Sequence, residues 1–349
     1  MPPVSSTSVV FSALRTVRRP IALRVSLSPH SLKSNLSSKQ LLSTCSVAVR
    51  SRSRPIACPL SRESISSRFI PIRTMSSISA MGKRLEGKTV LVTGASSGIG
   101  RSIAQEFART SPNNLKIIVT ARRVDQLKEL AADIKKEVGD GVKVLPVKLD
   151  VSNPQEVANL IPSLPEEFRD IDILVNNAGL VKGVDKAPEI KEEDMKVMFD
   201  TNVTGLINMT QAVLPIFKNK ENGKDGGRGD IINIGSIAGR EGYPGGSIYC
   251  ATKAAVRTFT DALRKELIAT RIRVIEIDPG QVETEFSVVR FYGDKSKAAE
   301  VYKGVEPLTP DDIAEVVVFA AGRRENVVIA DTLIFPNHQA SALIMHRKS

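Results

Sequence analysis

Cysteine and histidine are both scarce: the 349 residues contain three of each. Cys45 and Cys58 lie near the N-terminus and Cys250 stands alone in the remainder. No disulfide framework can be assembled from them, which fits a reducing compartment. His30, His338 and His346 show no ligand spacing, which argues against a structural or catalytic metal. A Ser-His-Asp hydrolase would have only the last two to draw on in the body of the chain, a poor start for that chemistry. Long apolar runs are missing as well. None approaches the roughly 18 residues of a membrane-spanning helix, so no transmembrane segment is expected.

Acidic residues are nearly absent from the N-terminal quarter, and glycine is absent before Gly82. Residues 1–82 carry twelve of the 49 Lys and Arg but only one acid, Glu63. The remaining 37 bases and 37 acids balance, so the whole net charge of +11 sits in that segment. The body therefore has no basic excess to offer phosphates, and nucleic-acid binding is not expected of it. The Ser- and Arg-rich, acid-poor segment 1–82 reads as a disordered or cleaved extension with the composition of a mitochondrial presequence. In "VVFSALRTVRR" a short amphipathic turn sets Phe11, Leu14 and Val17 opposite Arg15, Arg18 and Arg19. The alternative is upstream sequence before a cytoplasmic start at Met75 or Met81. Those arginines also exclude the apolar core of a secretory signal.

From residue 83 onward, short apolar runs alternate with helical periodicity. "KTVLVTG", "LKIIVTA", "VKVLPVKLD", "IDILVNNAG", "DIINIGS", "IRVIEIDPG" and "DTLIFP" are the runs. The helical stretches include 191–218, 247–270 and 310–321, and "NKENGKDGGRGD" reads as a surface loop. Strands apolar on both faces and alternating with helices predict a seven-stranded parallel sheet with right-handed crossovers. The expectation is a single α/β, doubly wound domain over 83–349, with its ligand beyond the carboxyl ends of the strands.

Two stretches at those ends are informative. The first strand closes in "TGASSGIG", where Gly94, Gly98 and Gly100 open the first helix. Such glycines allow a tight turn and let a pyrophosphate approach the free N–H groups of the helix start. The second strand ends in "TARR", with Arg122 and Arg123 where an NAD-binding chain usually carries an acid for the ribose 2′-OH. Two guanidiniums and no acid favour a 2′-phosphate, hence NADP. Further on, "YCATK" places Tyr249 and Lys253 on one helical face, which alone distinguishes nothing from a surface pair.

The ordered set is more specific. TGASSGIG, Asp150, "NNAG" at Asn176–Gly179, Asn202 in "DTNVTG", Ser236 thirteen residues before Tyr249-x-x-x-Lys253, and Pro279-Gly280 with Thr284 follow one another along the chain. In this, 83–349 resembles the short-chain dehydrogenase/reductases, a Rossmann-type family. "GSIAGREGYPGGSIYCATK", "VETEFSVVRFYGD" and "VIADTLIFPNHQAS" are similar to its NADP-dependent 3-hydroxy acid dehydrogenases, which include serine 3-dehydrogenases and L-allo-threonine dehydrogenases.

The resemblance implies roles. Tyr249 would be the general acid/base, Lys253 would lower its pKa and bond the nicotinamide ribose, Ser236 would hold the substrate oxygen, and Asn202 a water leading from Lys253 to solvent. A free phenol, with pKa near 10, is a poor base at neutral pH, and an ammonium one turn away together with the positive charge of oxidised nicotinamide would favour the phenolate. For NADP, Gly94, Ser96, Ile99 and Gly100 would face the pyrophosphate and adenosine, Arg122 and Arg123 the 2′-phosphate, and Asp150 the adenine. Asn177 and Gly179 would meet the ribose region, Val282 and Thr284 the carboxamide beside Pro279 and Gly280, whereas Asn176 reads equally as structural. A 3-hydroxy acid also needs a cation for its carboxylate. Arg290 is the leading candidate, with Arg240 and Lys182 behind it. Besides a small hydroxy-acid substrate, the resemblance implies a homotetramer packed through 191–218 and 247–270. A broad NADPH-dependent carbonyl reductase and a non-catalytic NADP-binding regulator are the alternative functions.

Overall fold

The computed structural model describes residues 77–348. The chain divides into Met1–Phe69 and Ile70–Ser349, and the described residues all belong to the second unit. The expected extension and its targeting role lie outside the described residues, except for its last six positions. Those belong to helix α1 (Ser77–Leu85), whose Leu85 is fully buried and whose Met81 packs on the core. The folded body thus takes in residues that the sequence assigns to the extension, because Met81 and Leu85 supply a short apolar stripe.

All seven apolar runs are strands: β1 (Thr89–Thr93), β2 (Leu115–Ala121), β3 (Val142–Lys148), β4 (Ile173–Asn176), β5 (Arg228–Ile234), β6 (Arg271–Pro279) and β7 (Asp331–Ile334). They form one parallel sheet in the order β3-β2-β1-β4-β5-β6-β7. Between them lie α2 (Gly98–Thr110), α3 (Val124–Val138), α4 (Pro154–Ser163), α5 (Glu166–Arg169), α6 (Glu192–Phe199), α7 (Leu206–Asn219), α8 (Ser247–Glu266), α9 (Phe286–Arg290), α10 (Lys295–Tyr302) and α11 (Pro310–Ala321).

The period-two alternation of side chains builds two cores from each strand. Val90 and Val92 of β1, with Val175, Ile232 and Ile275, face α2, α3 and α11. Leu91, with Ile118, Leu174, Ile231 and Val274, faces α4, α7 and α8. Local signals fix the helix starts. Asn153 caps α4 ahead of Pro154, and Thr309 with Asp312 forms a capping box before Pro310 and α11. The stretch 191–218 is not one helix: a π-helical turn, Asp200–Gly205, separates α6 from α7 and carries Asn202. Strand order reverses between β1 and β4, so the crevice opens above their carboxyl ends.

Candidate active site

A cavity of about 670 Å³ occupies that crevice. Its floor is the turn from β1 into α2. Gly94 sits at φ +67°, and a Cβ there would meet Ala178 Cα at 2.8 Å; a Cβ on Gly100 would meet Gly94 O at 2.5 Å. Gly94 and Ile99 line the cavity, but Gly100 does not. Gly100 serves the turn by packing tightly beneath it, a correction to the expectation that it faces a ligand. Asn177 does line the cavity, and its side-chain amide donates to Thr93 O (2.9 Å) and Gly94 O (3.2 Å), tying the end of β4 to the turn. No side chain caps α2 at Ser97, so its first N–H groups point into the crevice without a side-chain partner.

Both arginines of "TARR" line the cavity, in unlike settings. The Arg123 guanidinium donates to Ser96 Oγ (3.0 and 3.2 Å), Ser97 Oγ (2.7 Å) and Glu285 (3.0 Å). The hydrogen bond from Arg123 holds the Glu285 carboxyl below its usual range. Arg122 is two-thirds exposed and, among the described residues, pairs only with Asp150, at 3.9 Å. Asp150 in turn accepts from the Ser152 amide (3.0 Å) and hydroxyl (2.7 Å). Uncapped helix N–H groups, a floor that excludes Cβ atoms, and two guanidiniums with no acid at the end of β2 fit a dinucleotide carrying a 2′-phosphate. Gly179, Pro279, Gly280, Val282 and Thr284 continue the lining toward the other end.

There Ser236, Tyr249 and Lys253 come together, all three buried and all on the wall. Tyr249 and Lys253 lie one turn apart on α8, with the ammonium 5.9 Å from the phenol ring centroid. Lys253 Nζ donates to Ile234 O (2.8 Å). Ser236 follows β5, its hydroxyl accepting from the Ala238 amide (3.1 Å). Asn202 is buried behind them. It clamps Leu180 through both backbone groups (2.8 Å each) and donates to Thr252 Oγ1 (3.1 Å). Both amide N–H groups are thus spent, leaving only acceptor oxygens for a water. The side-chain oxygen and Lys253 Nζ both come within 4 Å of where a Cβ on Gly179 would stand. Asn176 is structural: its amide donates to Thr210 and Asn233 (3.0 Å each) inside the core.

Burial pushes the Tyr249 phenol up rather than down, with Tyr243 adding to the effect, while the nearby Ser236 hydroxyl pulls the other way. Burial also lowers Lys253 to about 8, against the attraction of Asp278 and Glu276. In the protein alone, desolvation therefore outweighs the charges around Tyr249.

Arg290 lines the cavity; Arg240 and Lys182 do not. The Arg290 guanidinium donates to Gly245 O (2.9 Å), lies 5.5 Å from the Tyr243 ring centroid, and keeps a buried Nε–H without a partner. Arg240 is spent on Asp278 and Asp331, and Lys182 lies over the Tyr292 ring, 5.1 Å from its centroid. Charge at a loop position did not distinguish the three; only the tertiary fold does.

A model of the short chain dehydrogenase family matches residues 88–292. The chain belongs to that family. It is 57% identical over 265 residues to the NADP-dependent 3-hydroxy acid dehydrogenase of Schizosaccharomyces pombe, covering 76% of this chain and 98% of the relative. It is 38% identical to the serine 3-dehydrogenase of Rhizobium radiobacter, covering 73% and 96%. Among solved structures it is similar to a closed form of serine dehydrogenase complexed with NADP+. That likeness has a TM-score of 0.66 and 43% identity, over 74% of this chain and all of the other.

In this short-chain dehydrogenase the expected loop 219–230 is narrower than the sequence suggests, since Asn219 closes α7 and Arg228–Asp230 open β5; none of these residues lines the cavity, and Glu221, Asn222 and Asp225 hold left-handed backbone there. Several lining residues escaped the sequence reading, among them Tyr243, Phe286, Gln339 and Met345. Gln339 folds back so that its side-chain oxygen accepts from the Gln281 amide (2.8 Å), which brings the C-terminal stretch to the cavity. No local pattern announces such a return. For Phe286, the helical spacing that seats Ser287 and Arg290 was the available signal.

Proposed function

We propose that the protein is an NADP-dependent oxidoreductase that transfers hydride between NADP(H) and the 3-hydroxy or 3-keto carbon of small 3-hydroxy acids. The observation that carries this is one cavity with Arg122 and Arg123 at one end, Ser236, Tyr249 and Lys253 at the other, and Arg290 beside Tyr249. The residues fit NADP on the grounds given above. When bound, NADP+ supplies the hydride acceptor and the positive charge that a buried phenolate needs.

The rest falls to the chain. Tyr249 takes the proton of the substrate hydroxyl. Lys253, with a pKa of about 8 and so mainly protonated at neutral pH, stabilises the phenolate from one turn away. Ser236 donates to the substrate oxygen and holds it at the phenol. Asn202 fixes Leu180 and keeps the wall behind Lys253 in place. Arg290 pairs with the substrate carboxylate through a guanidinium whose Nε–H is otherwise unpaired.

The test is NADP reduction by the purified protein with L-serine, L-allo-threonine, D-threonine and 3-hydroxyisobutyrate, and simple secondary alcohols as controls. The account expects turnover of the acids in preference to the alcohols. Equal turnover of both supports a broad carbonyl reductase, and none at all supports a non-catalytic NADP-binding regulator. Intact Asn202, Ser236, Tyr249 and Lys253 weigh against the latter. Exposed Met195, Val197 and Phe199 on α6 and Ile268 after α8 support assembly as a homotetramer, which light scattering checks. The Arg- and Ser-rich segment 1–82 supports mitochondrial delivery, tested by fusing it to a fluorescent protein.

A further inference from the structure

Behind the catalytic wall lies a charged group that the proton-transfer reading leaves unused. Asp278 and Glu276 stand two residues apart on β6, hence on one face of the strand, and both are at least 98% buried. Asp278 divides its carboxylate: Oδ1 accepts from the Ser236 amide (2.9 Å), and Oδ2 receives Arg240 Nε (2.7 Å). Arg240 continues to Asp331 on β7, which Arg257 of α8 also reaches at 3.4 Å. Glu276 leaves its Oε1 without a hydrogen bond. Gly235 has no room for a side chain, because Asp278 Oδ1 and Glu276 fill the space where a Cβ would stand.

This placement is costly, since buried charges are retained only at a desolvation penalty. The stretch that Asp278 braces carries two handles on the chemistry. Ile234 gives Lys253 its carbonyl partner, and Ser236, two residues on, faces Tyr249. We propose that Asp278, seconded by Glu276, is a positioning residue for hydride transfer: it fixes the backbone at Ser236, just past β5, and provides the buried negative charge that faces the Lys253 ammonium. This rests on the reading of Tyr249, Lys253 and Ser236 as the proton-transfer set.

The groups facing this charge are Lys253 and Arg257 from α8 and Arg240 from the turn after β5, with Asp331 of β7 beyond the two arginines. Among the charges acting on Lys253, Asp278 is the largest and Glu276 the next, and both keep it protonated against burial. Glu276 itself is pushed up to about 7, first by burial and then by Asp278.

Asp278→Asn keeps an oxygen for the Ser236 amide but removes the charge. Lys253 then loses its proton at lower pH, so the alkaline limb of the kcat profile with L-serine and NADP moves down by about one unit, the low end of what a nearby charge does. NADPH binding, followed by cofactor fluorescence, stays within about twofold of wild type because Asp278 lies outside the cavity wall. Glu276→Gln gives a smaller shift in the same direction and carries the test if Asp278→Asn does not fold. A uniform loss of kcat with an unmoved limb in both variants assigns Asp278 a structural role and overturns the proposal. Wild-type protein inactive on L-serine, the other 3-hydroxy acids and the alcohols removes the underlying reading as well. Active wild type with an unmoved limb removes this inference alone.

Discussion

Lys253→Met separates the catalytic worth of this lysine from its worth to the fold. The lysine is 7% exposed, and its pKa falls from 10.5 to about 8, chiefly through burial. A shift of that size corresponds to about 3 kcal/mol spent on keeping the ammonium inside. Against this stands its 2.8 Å hydrogen bond to Ile234 O, worth roughly 1.5–3 kcal/mol for a charged donor. The two nearly cancel, and Arg240 still pairs Asp278 in the variant. At pH 7, Lys253→Met should therefore change the unfolding free energy by less than about 2 kcal/mol, while kcat falls by roughly 10²- to 10⁴-fold.

The pH dependence has a definite sign. Above pH 8 the folded wild type releases this proton while the unfolded chain keeps it up to 10.5. The unfolded state then binds more protons, so stability from this group rises with pH through that window, whereas below pH 8 the cost is felt in full. Wild type should gain up to about 3 kcal/mol on the variant between pH 8 and 10.5. The assay is urea unfolding followed by far-UV circular dichroism, since the chain has no tryptophan to report. A loss of about 3 kcal/mol or more at pH 7, or a difference that ignores pH, refutes the reasoning.

Two further outcomes follow from the ends of the cavity. Arg122→Ala, removing the more exposed guanidinium of the pair, should raise KM for NADP by roughly ten- to a hundredfold and leave steady-state constants with NAD unchanged. Equal loss with both cofactors would sink the 2′-phosphate assignment. Arg290→Ala should lower kcat/KM for L-serine at least about tenfold more than for a neutral secondary alcohol. The same factor for both substrates would make Arg290 a wall residue and nothing more.

The sheet was legible because its signal is local. Central runs such as Val90–Val92 are apolar throughout, so burial on both faces, parallel pairing and the crevice all follow, while the edge strands β3 and β7 are partly exposed. The Ser236, Tyr249 and Lys253 set was legible through spacing, given the glycine turn upstream. What escaped depends on contacts between distant parts of the chain. The π-helical turn at Asn202 interrupts a continuous helical pattern, and its reason is the clamp on Leu180, 22 positions away. Glu285 sits 162 positions from Arg123, and nothing in either neighbourhood points to the other. Burial of Tyr249, which sets the direction of its pKa, comes from the whole wall, Phe286 included, whose ring meets it edge-on at 5.4 Å. Glu276 and Asp278 carried a local signal all the same, since two acids at alternate positions beside Val274, Ile275 and Ile277 are a visible anomaly.

The proposed reaction requires Tyr249 to move the proton while hydride passes between substrate and NADP. The most direct test compares wild type with Tyr249→Phe in NADPH formation from L-serine, beside NADPH binding by fluorescence. Burial of the ring is kept, and only the hydroxyl is lost. The account predicts turnover in the wild type, a fall of at least about 10²-fold in the variant, and binding of NADPH unchanged within about twofold. Turnover retained in Tyr249→Phe would contradict it.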